Sequence, residues 1–129
     1  MIELLLFMAL SVKHFIIDFP LQGPYQWKNK GTYLHQGGIY HAMLHLTGTI
    51  IAIASVFAFT GQLNHSTIKI IPLMGLLDGF IHYHIDWAKM NINQRMGWLP
   101  NTHPEFWWLL GFDQLLHTLT YVLIIAIIV

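Results

Sequence analysis

The sequence predicts an all-α fold, specifically an integral membrane bundle of four helices, and three observations support this prediction. Hydrophobic residues make up 55% of the 129 residues and charged residues only 9%, whereas soluble domains carry roughly 25% charged residues. A helix needs about 20 residues to cross a hydrocarbon layer of about 30 Å, and four apolar stretches reach or approach this length. Each stretch also carries two histidine or aspartate residues four positions apart, which places both on one helix face.

The predicted helices are separated by segments rich in helix-breaking residues. They cover residues 2–19, 39–60, 68–89 and 105–129. The segments at 20–38 and 90–104 combine proline and glycine with aromatic residues, which is typical of loops at a membrane surface. We expect no signal peptide, because Lys13, His14 and Asp18 interrupt the first apolar stretch and no small-residue cleavage site follows. One domain is expected, since 129 residues are too few for two independent cores.

The basic residues predict the orientation of the bundle. Lys28 and Lys30 lie between the first two helices and Lys89 and Arg95 between the last two, whereas Lys69 alone lies near the second connection. Loops that carry more lysine and arginine stay in the cytoplasm. The first and third loops are therefore predicted to be cytoplasmic, and both termini to lie on the non-cytoplasmic side.

Composition excludes several classes of site and partner. The chain has no cysteine, which rules out thiolate zinc sites, iron–sulfur clusters and disulfides. Its formal net charge is zero with nine histidines counted as neutral, so no basic face for nucleic acid is expected. Any metal ion must therefore be held by imidazole and carboxylate groups.

The four pairs of histidine and aspartate residues are the candidate metal site. They are His14 with Asp18, His41 with His45, His82 with Asp86, and Asp113 with His117. At a rise of 1.5 Å per residue, all eight fall within roughly 3–18 Å of the same membrane boundary. Ionisable groups inside a membrane are costly, and their gathering in one layer indicates a functional site.

The eight residues are predicted to have different roles. The histidines predicted as metal ligands are His41, His45, His82 and His117. The residues predicted to complete the coordination or to act as general base are Asp18, Asp86 and Asp113. His14 is predicted to be a ligand or a proton shuttle. Zinc is favoured, although iron or manganese fits the same ligands. Eight candidates exceed the three or four protein ligands of one zinc, which leaves one ion or two open.

We interpret the chain as a membrane-embedded metal-dependent hydrolase that acts at the cytoplasmic interface on a lipid or another amphiphile. All five tryptophans lie in or beside the first and third loops. An aromatic belt at the membrane interface explains each one singly, but their one-sided distribution suggests an entrance for an amphiphilic molecule. A bound metal ion would lower the pKa of its water to about 7 and polarise a phosphoryl or carbonyl oxygen. The sequence leaves a homo-oligomer open.

Other functions fit parts of the same pattern. A proton or metal-ion conduit could use these side chains as a relay, but residues 50–59 and 121–129 contain no ionisable group to continue it. A haem protein could use His45 and His117 as axial ligands. A small membrane protein of holin or interaction type, or a purely hydrogen-bonded polar core, would need no metal ion. Asp78 could extend the site or make a packing hydrogen bond, and Lys13 is expected to snorkel or to pair with an acid.

The polar residues also resemble a known family. The segments that carry the resemblance are KHFIIDFPLQ at residues 13–22, Asn29 with Lys30, Leu34 with His35, His41 with His45, H-x-x-x-D at 82–86 and DQLLH at 113–117. This pattern is similar to that of the family called domain of unknown function 3307. The resemblance implies a small membrane protein of bacteria or phages, located in the bacterial inner membrane, without an established activity. A looser similarity to proposed membrane-bound metal-dependent hydrolases is analogy only.

Overall fold

The fold is all-α, as predicted, with five helices and no strand. In a computed structural model that describes residues 1–129, the helices are α1 (Ile2–Asp18), α2 (Pro24–Trp27), α3 (Gln36–Phe59), α4 (His65–Met96) and α5 (Pro104–Ile128). The four long helices form a closed ring, in which α3 packs on α1 and α4, and α5 packs on the same two helices. The single turn α2 packs on α3. One face of each long helix therefore points into a shared interior.

Helix α4 is longer than the sequence predicted. It was expected to cover residues 68–89, but it runs from His65 to Met96, so the predicted loop at 90–104 shortens to residues 97–103. The Asn64 side chain accepts hydrogen bonds from the amides of Ser66 and Thr67 and caps the N-terminus. Gly97 ends the helix in the left-handed conformation, with φ of 67°. These caps set the helix ends, whereas the prediction had relied on polarity alone.

The first connection is also more ordered than predicted. It contains the turn α2, and α3 begins at Gln36, before the predicted position 39. Gly37 and Gly38, which were read as helix breakers, lie inside α3. A Cβ atom on Gly38 would stand only 3.3 Å from the Lys30 backbone, so the glycine lets the loop pack directly against the helix.

The buried interior is divided into an apolar half and a polar half. The apolar half lies around Leu6, Leu10, Ile53, Phe57 and Ile124. Of the 27 buried residues, 13 are polar or charged, and most of these belong to the other half of the ring. Buried polar groups need hydrogen-bond or ionic partners, so the polar half must form an internally paired cluster.

Two helices have the length and composition to cross a membrane, namely α3 and α5. Large apolar side chains are exposed along the outside of the ring, including Leu4 and Met8 on α1 and Leu119 and Val122 on α5. The structure thus gives two candidate spans where the sequence predicted four.

Candidate metal centre

All eight predicted site residues meet in one buried cluster inside the helix ring. Each long helix contributes one pair, as the four-residue spacing predicted. Seven of the residues are at most 8% exposed, and the Asp18 side chain is 7% exposed. The gathering of these side chains is present in the structure, while metal binding stays a prediction.

Three atoms from two helices converge on one point of the cluster, and an oxygen of Asp18 from α1 lies beside two of them. His41 Nε2 lies 3.1 Å from His82 Nε2, 3.3 Å from Asp86 Oδ2 and 3.1 Å from Asp18 Oδ1. His82 Nε2 lies 3.2 Å from Asp86 Oδ2 and 3.5 Å from Asp18 Oδ1. Ligand atoms placed 2.0–2.1 Å from a tetrahedral zinc ion are separated by about 3.3–3.4 Å. The observed separations therefore suit a small tetrahedral cation.

The hydrogen bond made by His41 Nδ1 fixes the tautomer that a ligand role of Nε2 would need. Its Nδ1 atom donates to Gln26 Oε1 at 2.9 Å. Gln26 is fixed in that orientation because its Nε2 group donates to the Leu21 carbonyl at 3.0 Å. Histidine ligands commonly donate their second ring nitrogen to such an oxygen, which fixes the tautomer and orients the ring. His41 Nε2 then presents a lone pair to the convergence point.

His45 has the opposite hydrogen-bond pattern. Its Nδ1 atom lies 3.2 Å from the Lys13 ammonium group, which can only donate. The proton of the neutral ring must therefore reside on Nε2, which donates to Asp18 Oδ1 at 2.9 Å. This pattern places the Nε2 proton of His45 on Asp18, while the ligand role of His45 stays a prediction.

His14 also holds Asp18. Its Nε2 atom lies 3.2 Å from Asp18 Oδ2 and 3.0 Å from Gln114 Oε1, and both of these atoms are acceptors. The amide orientation of Gln114 is fixed because its Nε2 group donates to Asp113 Oδ2 at 3.1 Å. The Tyr121 hydroxyl lies 2.8 Å from His14 Nδ1 and completes the contacts of the ring. Two imidazoles thus donate to the Asp18 carboxylate.

A second group of atoms faces the other oxygen of Asp86. Asp86 Oδ1, Asp113 Oδ1 and His117 Nε2 are buried and make no hydrogen bond. His117 Nε2 lies 3.9 Å from Asp86 Oδ1 and 3.4 Å from Asp113 Oδ1. Buried polar atoms without a partner are rare, and three of them around one point indicate a position for a cation. Asp86 directs one oxygen to each group, which is the arrangement of a bridging carboxylate.

Three lysines belong to the cluster, and the sequence predicted an acidic partner for only one of them, Lys13, which pairs with Asp78. Lys30 Nζ lies 2.8 Å from Asp86 Oδ2, and Lys89 Nζ lies 2.9 Å from Asp113 Oδ2. The sequence had counted both lysines as loop charges. Lys89 follows Asp86 by one helical turn, a spacing that could have revealed it. Lys30 comes from a loop 56 positions before Asp86, and no local signal predicts that contact.

The third lysine forms a deeper layer beneath the cluster. Lys13 Nζ lies 2.6 Å from Asp78 Oδ2, an oxygen that also accepts from the Thr49 hydroxyl. Asp78 thus makes the packing hydrogen bonds that the sequence allowed, to Thr49 on α3 and Lys13 on α1. It also extends toward the site, because Lys13 contacts His45. The four aspartates and three lysines give this region a net charge of minus one when its histidines are neutral.

The remaining histidines lie outside the cluster. His84 donates from Nδ1 to the Phe80 carbonyl at 2.8 Å. His35 caps α3 by accepting from the Gly37 amide. His65 is exposed at the start of α4 and His103 lies at the start of α5.

Fold and site together define an all-α protein whose helices enclose a buried centre of imidazole, carboxylate and ammonium groups. The chain belongs to the family described as protein of unknown function (DUF3307), whose model matches residues 6–129. This match confirms the resemblance seen in the sequence. No curated protein and no solved structure matches the chain.

Proposed function

We propose that this protein is a membrane-embedded metal-dependent hydrolase that acts on a lipid or another amphiphile. The observation that carries the proposal is the convergence of His41, His82 and Asp86 at the separations of a tetrahedral site, with Asp86 shared by a second group and Asp18 beside the first. Bound metal ions would supply a water activated at neutral pH and would polarise the ester oxygen. Paired metal ions about 3.5–4 Å apart are a recurring arrangement in phosphatases and nucleases.

The contacts of each side chain support an assignment of roles. His41, His82 and Asp86 hold the first ion, and Asp86, Asp113 and His117 hold the second. Asp18 is the candidate general base, because it is the one aspartate that pairs with no lysine. His14 and His45 position Asp18 and can carry its proton away. A catalytic site keeps one position open for water, which three protein ligands at the first ion allow.

The membrane placement is part of the proposal. Its support is the apolar outer surface, the buried polar cluster and the two candidate spans α3 and α5. We place all four long helices across the bilayer, with both termini on the non-cytoplasmic side. Lys30 and Lys89 are ion-paired inside the cluster and do not count as loop charges. The orientation is therefore inferred from Lys28 and Arg95 at the first and third connections, compared with Lys69 near the second.

We expect labelling of single cysteines at positions 28 and 65 to give opposite answers in intact cells. Lys28 and His65 are exposed and belong to connections at opposite ends of the ring. A membrane-impermeant maleimide should label the cysteine in H65C and should label that in K28C only after the cells are opened. Labelling of both positions from outside would contradict the four-span topology.

The alternative conduit function is less well supported. A relay through the bilayer must continue beyond the cluster, but Leu6, Leu10, Ile53, Phe57 and Ile124 fill the interior there. These side chains offer no group that binds a proton or a metal ion. The buried centre is therefore better suited to chemistry at one interface.

Hydrolysis is tested with purified protein in nanodiscs, stripped with chelator and reloaded with zinc. The substrates are p-nitrophenyl phosphate, bis-p-nitrophenyl phosphate and p-nitrophenyl laurate. We expect the wild type to hydrolyse one ester class only when metal is present. D18N should keep its metal but lose about 10²-fold or more in kcat, because a general base contributes about 10²–10⁴-fold.

H65A is the matched control for a histidine outside the cluster, and it should match the wild type. Metal binding without hydrolysis of any ester would contradict the hydrolase proposal. An equal kcat for D18N and the wild type would contradict the assignment of the general base.

A further inference from the structure

A cavity of about 310 Å³ lies beside the candidate metal centre, between the first connection, the end of α4 and the start of α5. Its apolar lining includes Trp27, Phe106, Leu109 and Leu110, and its polar lining includes Lys30 and Lys89. Ligand pockets commonly have such a volume, with an apolar wall and a few polar groups that orient the ligand.

The polar lining of the cavity is also the wall of the metal centre. Lys30 contacts Asp86 Oδ2 and Lys89 contacts Asp113 Oδ2. The other oxygen of each carboxylate belongs to the second group of unpartnered atoms. Gln22 also lines the cavity, and its amide reaches His41 Nε2 at 3.3 Å. A molecule in the cavity therefore lies next to both candidate metal positions.

The charge of the region selects an anionic ligand. The four aspartates and three lysines give minus one, so one divalent ion gives plus one and two give plus three. A metal ion at the first position would compete with Lys30 for Asp86 Oδ2, whereas Lys89 would keep its contact with Asp113 Oδ2. Each ammonium group has three N–H donors, so each could donate to an anion as well.

We infer that this cavity binds an amphiphile that carries a phosphate monoester, with the phosphate held by Lys30 and Lys89 and the apolar chain on the wall formed by Trp27, Phe106, Leu109 and Leu110. A phosphate monoester carries about −1.5 to −2 charges near neutral pH, which compensates the excess charge of the loaded centre. Lysine is a common phosphate ligand. Asn93 also lines the cavity.

The inference rests on the proposed function and names its substrate class. In the hydrolysis, the oxygen of water forms a bond to phosphorus while the ester P–O bond breaks. One proton of water ends on the released alcohol and the other stays on the phosphate. The products are a membrane alcohol and inorganic phosphate.

Binding is tested by calorimetry on zinc-loaded protein in nanodiscs, with every form of the protein made in the D18N background so that the probe is not hydrolysed. The probes are dodecyl phosphate, inorganic phosphate and uncharged dodecyl maltoside. We expect dodecyl phosphate to bind at least about tenfold more tightly than the other two. K30Q and K89Q should each weaken its binding by roughly tenfold or more. The matched control is K28Q, which replaces an exposed lysine of the same segment and should bind like the wild type.

A second variant does not disturb the ion pairs. L109W fills the cavity and should weaken dodecyl phosphate binding while leaving that of inorganic phosphate unchanged. This variant decides the matter if K30Q or K89Q fails to fold or loses its metal. Unchanged affinity of L109W for dodecyl phosphate would overturn the inference, as would equal affinity of the wild type for dodecyl phosphate and inorganic phosphate. Hydrolysis of a carboxylic ester alone would overturn it while leaving the proposed hydrolase intact.

Discussion

Replacing His82 with alanine is expected to abolish metal binding at the first position and to lower the stability of the protein. The His82 ring stacks between the rings of His45 and His117, with centroid separations of 3.4 and 4.0 Å. Its Nε2 atom faces Asp18, His41 and Asp86. Removal leaves buried carboxylates without a compensating partner, which costs about 3–5 kcal/mol for a broken buried charge pair.

The measurements for H82A are metal content by plasma emission spectrometry and the thermal unfolding midpoint in nanodiscs. The matched control is H65A, because His65 lies on the same helix but is exposed. It should change neither quantity. If H82A loses stability but keeps the metal content of the wild type, the cluster is a structural hydrogen-bond network and the hydrolase proposal fails.

Replacing Asp86 with asparagine is expected to remove both metal ions, because each carboxylate oxygen of Asp86 faces a different group. Oδ2 lies 3.2 Å from His82 Nε2, while Oδ1 lies 3.9 Å from His117 Nε2. The wild type should hold about two ions per chain, since the ligands exceed the needs of one zinc. D86N should hold fewer than one, and H117A should hold about one.

The control for D86N is D78N, which also removes a buried carboxylate and leaves a lysine without its partner. Both variants should lose stability, but D78N should keep its metal ions because Asp78 belongs to neither group. The same elemental analysis applies. A wild type with one ion, retained in H117A, would show that the second position binds no metal.

A metal site and a structural polar core require different protonation states of the histidines in this cluster. Without a metal ion, the carboxylates of Asp18 and Asp86 need hydrogen-bond donors. Protons on the imidazole nitrogens that face them must supply these hydrogen bonds. With a metal ion, the rings stay neutral and their lone pairs point inward. Comparison of H82A with D78N therefore distinguishes loss of a ligand from loss of buried charge.

The sequence by itself determined the helical class and the eight histidine and aspartate members of the cluster. Residues four apart share a helix face whatever surrounds the helix, and the rise per residue fixes their depth. The pairs His14 with Asp18, and Asp113 with His117, therefore had to lie at one level once the helices packed together. The ends of α4 were harder to predict, because the cap formed by Asn64 decided where the helix began.

The tertiary structure alone decided the pairing within the cluster. Lys13 meets Asp78 across 65 positions of the chain and Lys30 meets Asp86 across 56. Such contacts depend on how closely the helices approach. At Gly75, for example, an added Cβ atom would stand 2.8 Å from the Leu46 carbonyl oxygen. The rotation and separation of the helices decide which imidazole nitrogen faces an acceptor, which faces a donor, and which carboxylate oxygen receives a hydrogen bond. The sequence could therefore name the candidate ligands, but only packing decided that His41 donates to Gln26 and that His45 donates to Asp18.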